Sequence, residues 1–339
     1  MNRSIFINAA VATVIAAVNT SSQMPSTTGN SKPQGPAVFV EEASTLETPT
    51  GSIYGTLMLP KGNSTFPVVL IISGSGPTDR DGNSRILKGP NNSLKMLAEG
   101  LAANGIASLR YDKRGIGESA KAMGKEADLR FDDYINDAAL WAKKLRDDKR
   151  FSTLTIAGHS EGSLIGMVAA GRAAADAYVS IAGVGKPVSQ LLIEQLRKQL
   201  PPETLKSAEA IMAGMAAGKT TDPVPPDLMA MFRPSVQPYM ISWFRYDPAK
   251  EIGKLSVPIL IAQGTTDIQV GVDEARSLST GAPSAKLLLI DGMNHVLKNV
   301  PIDTVKQIAS YSDASLPTDA LLISEMSTFV KKVRSAKVR

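Results

Sequence analysis

The chain has no cysteine and only two histidines, His159 and His295, in 339 residues. Without cysteine there are no disulfides, thiolate metal sites, iron–sulfur clusters or cysteine nucleophiles. Two imidazoles argue against a histidine-based zinc site and leave two candidates for any histidine-dependent catalysis. The body also lacks an excess of charge. The formal net charge is +5, and the last nine residues, KKVRSAKVR, hold five cations: Lys331, Lys332, Arg334, Lys337 and Arg339. The remainder is therefore near neutral, and a nucleic-acid partner is not expected, because such proteins carry a basic stripe across the fold. The tail reads as a solvated helix end, where cations suit the dipole. Apolar residues at 43% and charged residues at 20% are ordinary for a globular protein.

The N-terminus, MNRSIFINAAVATVIAAVNTSSQ, has a positive start at Arg3, a mostly apolar stretch from Ile5 to Val18 and small residues after it. That three-part pattern predicts a signal peptide over 1–22. The apolar stretch is shorter than the ~20 residues a spanning helix needs. Export to the periplasm or the extracellular space is expected, without stable membrane insertion once the leader is cleaved. The alternatives are a cytoplasmic protein or one anchored by an uncleaved N-terminal segment. Residues 23–36 are almost entirely Ser, Thr, Asn, Gln, Pro and Gly and read as a flexible linker.

In the body, short β-rich runs alternate with helical ones. Val38–Glu41 and Ile53–Leu59 read as an early strand pair separated by the turn-rich TPTG. Pro67–Ile72, Ile106–Tyr111, Leu154–Ala157, Tyr178–Ala182, Ile259–Gln263 and Leu287–Ile290 follow. Several are apolar without alternation, the mark of strands buried on both faces. Between them, Asn91–Asn104, Phe131–Leu145 and Asp319–Val333 carry apolar residues at helical spacing. The predicted fold is α/β, with an eight-stranded, mostly parallel sheet flanked by helices. Residues 37–185 and 251–339 form its core, and a helical cap over 186–250 is inserted after the sixth strand. That segment is rich in methionine and aromatics, and an insertion of this size usually serves function.

The chemistry starts where Leu154–Ala157 runs into Gly158-His159-Ser160-Glu161-Gly162 and then directly into a helical run. This is G-x-S-x-G between strand and helix, which lifts a serine hydroxyl above the sheet edge on a strained turn. Ser160 is the candidate nucleophile. It needs a base, and the base needs an orienting acid. His159 is adjacent to Ser160 and its side chain is expected to point elsewhere, which leaves His295, after Leu287–Ile290. Asp267 ends the strand Ile259–Gln263 in GTTD and is the candidate acid. Asp273 reads as the start of a helix, and Asp291 is too close to His295 in sequence. Oxyanion donors are expected from the backbone N–H of Glu161 and, in the glycine-rich loop after Ile72, of Ser75, with Gly76 next.

These motifs resemble the α/β-hydrolase superfamily. Besides GHSEG, the string Arg110-Tyr111-Asp112-Lys113-Arg114-Gly115-Ile116-Gly117-Glu118-Ser119 is similar to the family's D-x-R-G-x-G-x-S turn. GTTD and GMNH are similar to its acid and histidine loops. GSGPTDRDG with GHSEG resembles bacterial carboxylesterases and prolyl-oligopeptidase-like serine hydrolases, and departs from HGGG-type lipases. The resemblance implies a serine carboxylesterase acting on small-molecule esters with short- to medium-chain acyl groups, without cofactor or metal. Met212, Met240 and Trp243 are the expected substrate-binding residues in the cap. The runner-up is a serine aminopeptidase or oligopeptidase, with Glu161, Asp79 or Arg80 as a charged anchor for a peptide terminus. A third reading is a non-catalytic ligand binder on the same fold.

Overall fold

The computed structural model describes residues 39–62 and 65–335. The leader expected over 1–22 and the linker over 23–36 lie outside the described residues. The strands are β1 (Phe39–Thr48), β2 (Gly51–Pro60), β3 (Phe66–Ile72), β4 (Ala107–Tyr111), β5 (Phe151–His159), β6 (Ala177–Ile181), β7 (Ile259–Gly264) and β8 (Lys286–Ile290). They make one eight-stranded sheet in the order β1-β2-β4-β3-β5-β6-β7-β8. β1 and β2 pair antiparallel, as do β2 and β4, and every later pairing is parallel.

Strand β3 shows why the apolar runs lack alternation. Val68, Leu70 and Ile72 enter the core on one face of the sheet, and Val69 and Ile71 enter the core on the other. With a period of two and helices on both faces, every position must be apolar. The face that takes Val69 and Ile71 is covered by α1 (Ser93–Ala103) and, from the chain's end, a helix over Ala320–Lys332. The opposite face is covered by α2 (Phe131–Asp147) and α3 (Glu161–Arg172).

The first strand is longer than expected. It continues through Glu42 to Thr48, and Thr48 pairs with Gly51 across a two-residue turn. Glu41, Glu42 and Glu47 sit on this exposed edge strand, where charge blunts sheet-to-sheet association and removes the apolar signal.

Between β6 and β7 the chain forms α4 (Val188–Arg197), α5 (Pro202–Ala216), α6 (Met229–Phe232), α7 (Gln237–Phe244) and α8 (Pro248–Gly253). Helix α7 packs its aromatics on α2: the Trp243 ring stacks on Phe131 at 5.4 Å, and Tyr239 meets Tyr134 edge-on at 5.8 Å. Beyond β7 come α9 (Val272–Gly281), α10 (Thr304–Ser310) and α11 (Ala320–Lys332). Asp319 caps α11 by accepting from the N–H groups of Leu321 and Leu322.

Candidate active site

Ser160 sits between the last residue of β5 and the first of α3, with φ 56° and ψ −121°. Such a backbone costs about 1–3 kcal/mol and must be held by its surroundings. Its N–H donates to Ile181 O at 2.9 Å, and its carbonyl accepts from Ser163 N–H at 2.9 Å. The flanking glycines are required by contact. A Cβ on Gly158 would lie 2.0 Å from Gly162 O, and one on Gly162 would lie 2.4 Å from Ile72 O.

Asp267 follows β7 and His295 follows β8, and the structure brings them together. His295 Nδ1 is 2.8 Å from Asp267 Oδ2. Asp267 Oδ1 accepts from the N–H groups of Gln269 at 2.8 Å and Val270 at 2.9 Å. Burial alone would raise the pKa of Asp267, but His295 and these donors outweigh it and hold the carboxyl below its ordinary value. An ionised Asp267 accepts from Nδ1–H, which leaves His295 Nε2 as the basic nitrogen. The histidine loop is pinned by Asn294, which donates to Ser310 Oγ at 2.8 Å and accepts from Lys298 N–H at 3.0 Å. Ser160 and His295 line one cavity of about 90 Å³, together with Gly74, Ser75 and Tyr311. Asp291 instead accepts from Thr265 Oγ1, and Asp273 is solvent-exposed beside Arg276.

His159 does not point elsewhere. Its Nε2 lies 2.8 Å from the backbone oxygen of His295, the two rings are 4.8 Å apart, and it lines the same cavity. Strand parity explains this. Ala157, two residues back, belongs to the core that also holds Met293 and Leu297, which flank the histidine loop. Burial, and after it the neighbouring His295, push the His159 pKa down to about 3.

The loop after β3 is ordered. Asp79 accepts from the N–H groups of Asp81 and Asn83 at 2.9 Å, and Arg80 pairs with Asp112 at 2.7 Å and with Glu118. Gly74 lies against Ser160, since a Cβ on it would be 3.1 Å from Ser160 Cβ. Ser75 lines both cavities that flank Ser160. Glu161 is the first helical residue of α3, where an N–H has no intrahelical acceptor. Its side chain is buried, taking a 2.5 Å hydrogen bond from Tyr239 OH, with Lys113 Nζ at 3.5 Å.

The second cavity, about 50 Å³, is lined by Glu161, Val184, Val188, Leu191, Leu192 and Trp243, among others. Of the three substrate-binding residues expected in this segment, Trp243 reaches the cavity. Met212 and Met240 do not: each is 1% exposed and fills the core among α4, α5 and α7. Methionine served there as core filler.

A mostly parallel eight-stranded sheet with a serine at the β5 elbow, an acid after β7 and a histidine after β8 defines a class. The chain has the α/β-hydrolase fold, and its similarities are to serine hydrolases of that fold. Residues 91–221 match the family model described as serine aminopeptidase, S33. The esterase EstD of Thermotoga maritima is 29% identical over 262 residues, 75% of this chain and 61% of that protein. The chain thus spans less than two thirds of that relative's length. Among solved structures, the Pyrococcus furiosus esterase Pf2001 aligns with a TM-score of 0.53 at 16% identity, over 92% of this chain and 97% of that one. Est1E from Butyrivibrio proteoclasticus aligns with a TM-score of 0.52 at 18% identity, over 86% and 96%. At these identities the likeness is one of fold. Among the described residues, no group of three or more His, Asp or Glu is placed to hold a metal ion, and no helix is long and apolar enough to cross a membrane.

Proposed function

We propose that the protein is a serine carboxylesterase that hydrolyses short- to medium-chain acyl esters through an acyl-enzyme. The observation that carries this is the 2.8 Å contact between His295 and an ionised Asp267, on the wall of the cavity that also exposes Ser160. Ser160 Oγ attacks the acyl carbonyl, and His295 Nε2 takes its proton and returns it to the departing alcohol. The N–H groups of Ser75 and Glu161 receive the oxyanion. Water activated by His295 then releases the acid. The small, largely apolar cavity beside Glu161 takes the acyl chain, and the larger cavity beside His295 takes the alcohol, because the leaving oxygen must face the histidine. The esterase EstD supports the ester reading.

The aminopeptidase reading is favoured by the family description matched over residues 91–221. It needs a charged anchor for a peptide terminus. Glu161 is held by Tyr239 and Lys113, Arg80 by Asp112 and Glu118, and Asp79 by backbone N–H groups. This weighs against amides. Hydrolysis of p-nitrophenyl esters from acetyl to palmitoyl, beside aminoacyl p-nitroanilides, tests the choice. Ester turnover that falls with chain length and vanishes in Ser160→Ala is expected. Anilide turnover without ester turnover overturns it. We also propose export on the leader over 1–22, which N-terminal sequencing of the protein from periplasm and medium would test.

A further inference from the structure

Lys113 is a buried cation with an unusual acceptor. Its side chain is 2% exposed, and Nζ donates to the backbone oxygen of Gly74 at 2.7 Å. The same Nζ lies 3.5 Å from Glu161 Oε2 and 5.1 Å from the centre of the Tyr134 ring. Lys113 lines neither cavity that flanks Ser160. Glu161 in turn accepts from Tyr239 of α7, which belongs to the helical segment between β6 and β7. The reaction scheme above uses neither the Lys113 nor the Glu161 side chain.

We propose that Lys113 is a positioning residue for the oxyanion-binding peptide, and that Glu161 and Tyr239 tie its placement to the helical segment. This rests on the hydrolase reading given above. The Gly74–Ser75 peptide is trans. In a planar trans peptide the carbonyl and the next N–H point in opposite directions. Lys113 draws the Gly74 oxygen toward itself, away from the cavities, so the Ser75 N–H is turned back toward the side where Ser160 stands. Without that donor the buried carbonyl is unsatisfied and the peptide has no reason to keep its orientation.

The electrostatics are consistent with this arrangement. Burial lowers the pKa of Lys113, and Glu161 opposes the shift. Burial and the nearby Glu161 charge push Tyr239 well above the ordinary value for tyrosine, so it keeps the proton it donates. One carboxylate thus joins a helix of the inserted segment, the lysine behind the oxyanion loop and the residue after the nucleophile. A shift of α7 is therefore felt at the atom that binds developing negative charge.

The test compares wild type with Lys113→Met, Lys113→Met/Glu161→Gln and Tyr239→Phe. Three readouts are taken: kcat and KM for p-nitrophenyl acetate, inhibition by an alkyl trifluoromethyl ketone, and inhibition by the matching methyl ketone. The fluoroketone forms a tetrahedral adduct with a serine and needs the oxyanion donors, whereas the methyl ketone reports only ground-state binding. Losing one oxyanion donor costs about 10²–10³-fold in kcat. The expected result for both Lys113 variants is a kcat loss of that order, an equal weakening of the fluoroketone, and KM and methyl-ketone inhibition within about threefold of wild type. Tyr239→Phe is expected to lose roughly tenfold in kcat by the same pattern. The double variant removes both charges, so it decides if Lys113→Met leaves Glu161 unpaired and does not fold; Tyr239→Phe decides if neither folds. A folded variant with kcat and fluoroketone inhibition within about threefold of wild type overturns the proposal alone. Wild type that turns over no ester and no anilide overturns the hydrolase reading, and the proposal with it.

Discussion

The imidazole of His159 donates from Nε2 to the backbone oxygen of His295, 2.8 Å away. A carbonyl can only accept, and a ring whose pKa is pushed to about 3 is neutral at working pH. The donor is therefore Nε2–H, and the residue before Ser160 holds the loop that carries His295.

His159→Gln keeps an N–H donor and removes the titration, which allows a pH test. In the folded state His159 stays neutral down to about pH 3, while in the unfolded chain it protonates near pH 6.5. Its contribution is thus fully present above about pH 6.5 and is lost as pH falls toward 3, at about 1.4 kcal/mol per pH unit. Denaturant unfolding between pH 7 and pH 4 is expected to show a shallower loss of stability in the variant. Parallel curves for the two proteins would refute the assignment.

Asp267→Asn can no longer select the Nδ1–H tautomer of His295. Ester kcat is expected to fall by about four orders of magnitude with the fold intact. Circular dichroism beside kinetics separates this from unfolding. A loss of only a few-fold would show that the carboxylate is not the orienting group.

Leu191 is half-buried on the wall of the smaller cavity. Leu191→Ala should widen it and move the preferred acyl group toward longer chains. Added methylenes in an apolar pocket are worth about 1–3 kcal/mol, so the ratio of octanoyl to acetyl kcat/KM should rise by at least about tenfold. An unchanged ratio would place the acyl chain in the cavity beside His295 instead.

Arg114 forks onto Asp137 with hydrogen bonds of 2.7 and 2.6 Å, both residues being buried. Burial keeps the pKa of Asp137 above its ordinary value even with Arg114 beside it. Arg114→Met strands that carboxylate and is expected to cost about 3–5 kcal/mol. The cost should be larger at pH 8 than at pH 5, because an unpaired Asp137 escapes part of it by protonation. Urea melts at the two pH values check both size and sign.

Much of the fold was legible because burial on both faces leaves unbroken apolar runs, as in β3. Ser160 was legible because its elbow imposes glycine on both sides within five residues. His295 was legible because only two histidines exist. The far half of β1 was not, since Glu42 and Glu47 mask an edge strand whose pairing with β2 makes up for its polarity. The inward turn of His159 depends on which sheet face the histidine loop lands on. Lys113 stood in the DKRG string, but its acceptor lies 39 positions earlier. Met212 sits on a different helix from Trp243, and Met240 leaves the helix they share in another direction, neither of which composition records.

The groups gathered around Ser160 come from Gly74, after the central strand β3, and from His295, after the edge strand β8. β7 and β8, which lead to Asp267 and His295, are the last two strands in chain order and close one side of the sheet. A ribosome-bound chain that already displays the serine elbow therefore still lacks Asp267 and His295. Parallel pairings across such separations form late. On the proposed triad, ester turnover is then the last property the molecule acquires, and a chain stopped before β7 would carry Ser160 without its partners.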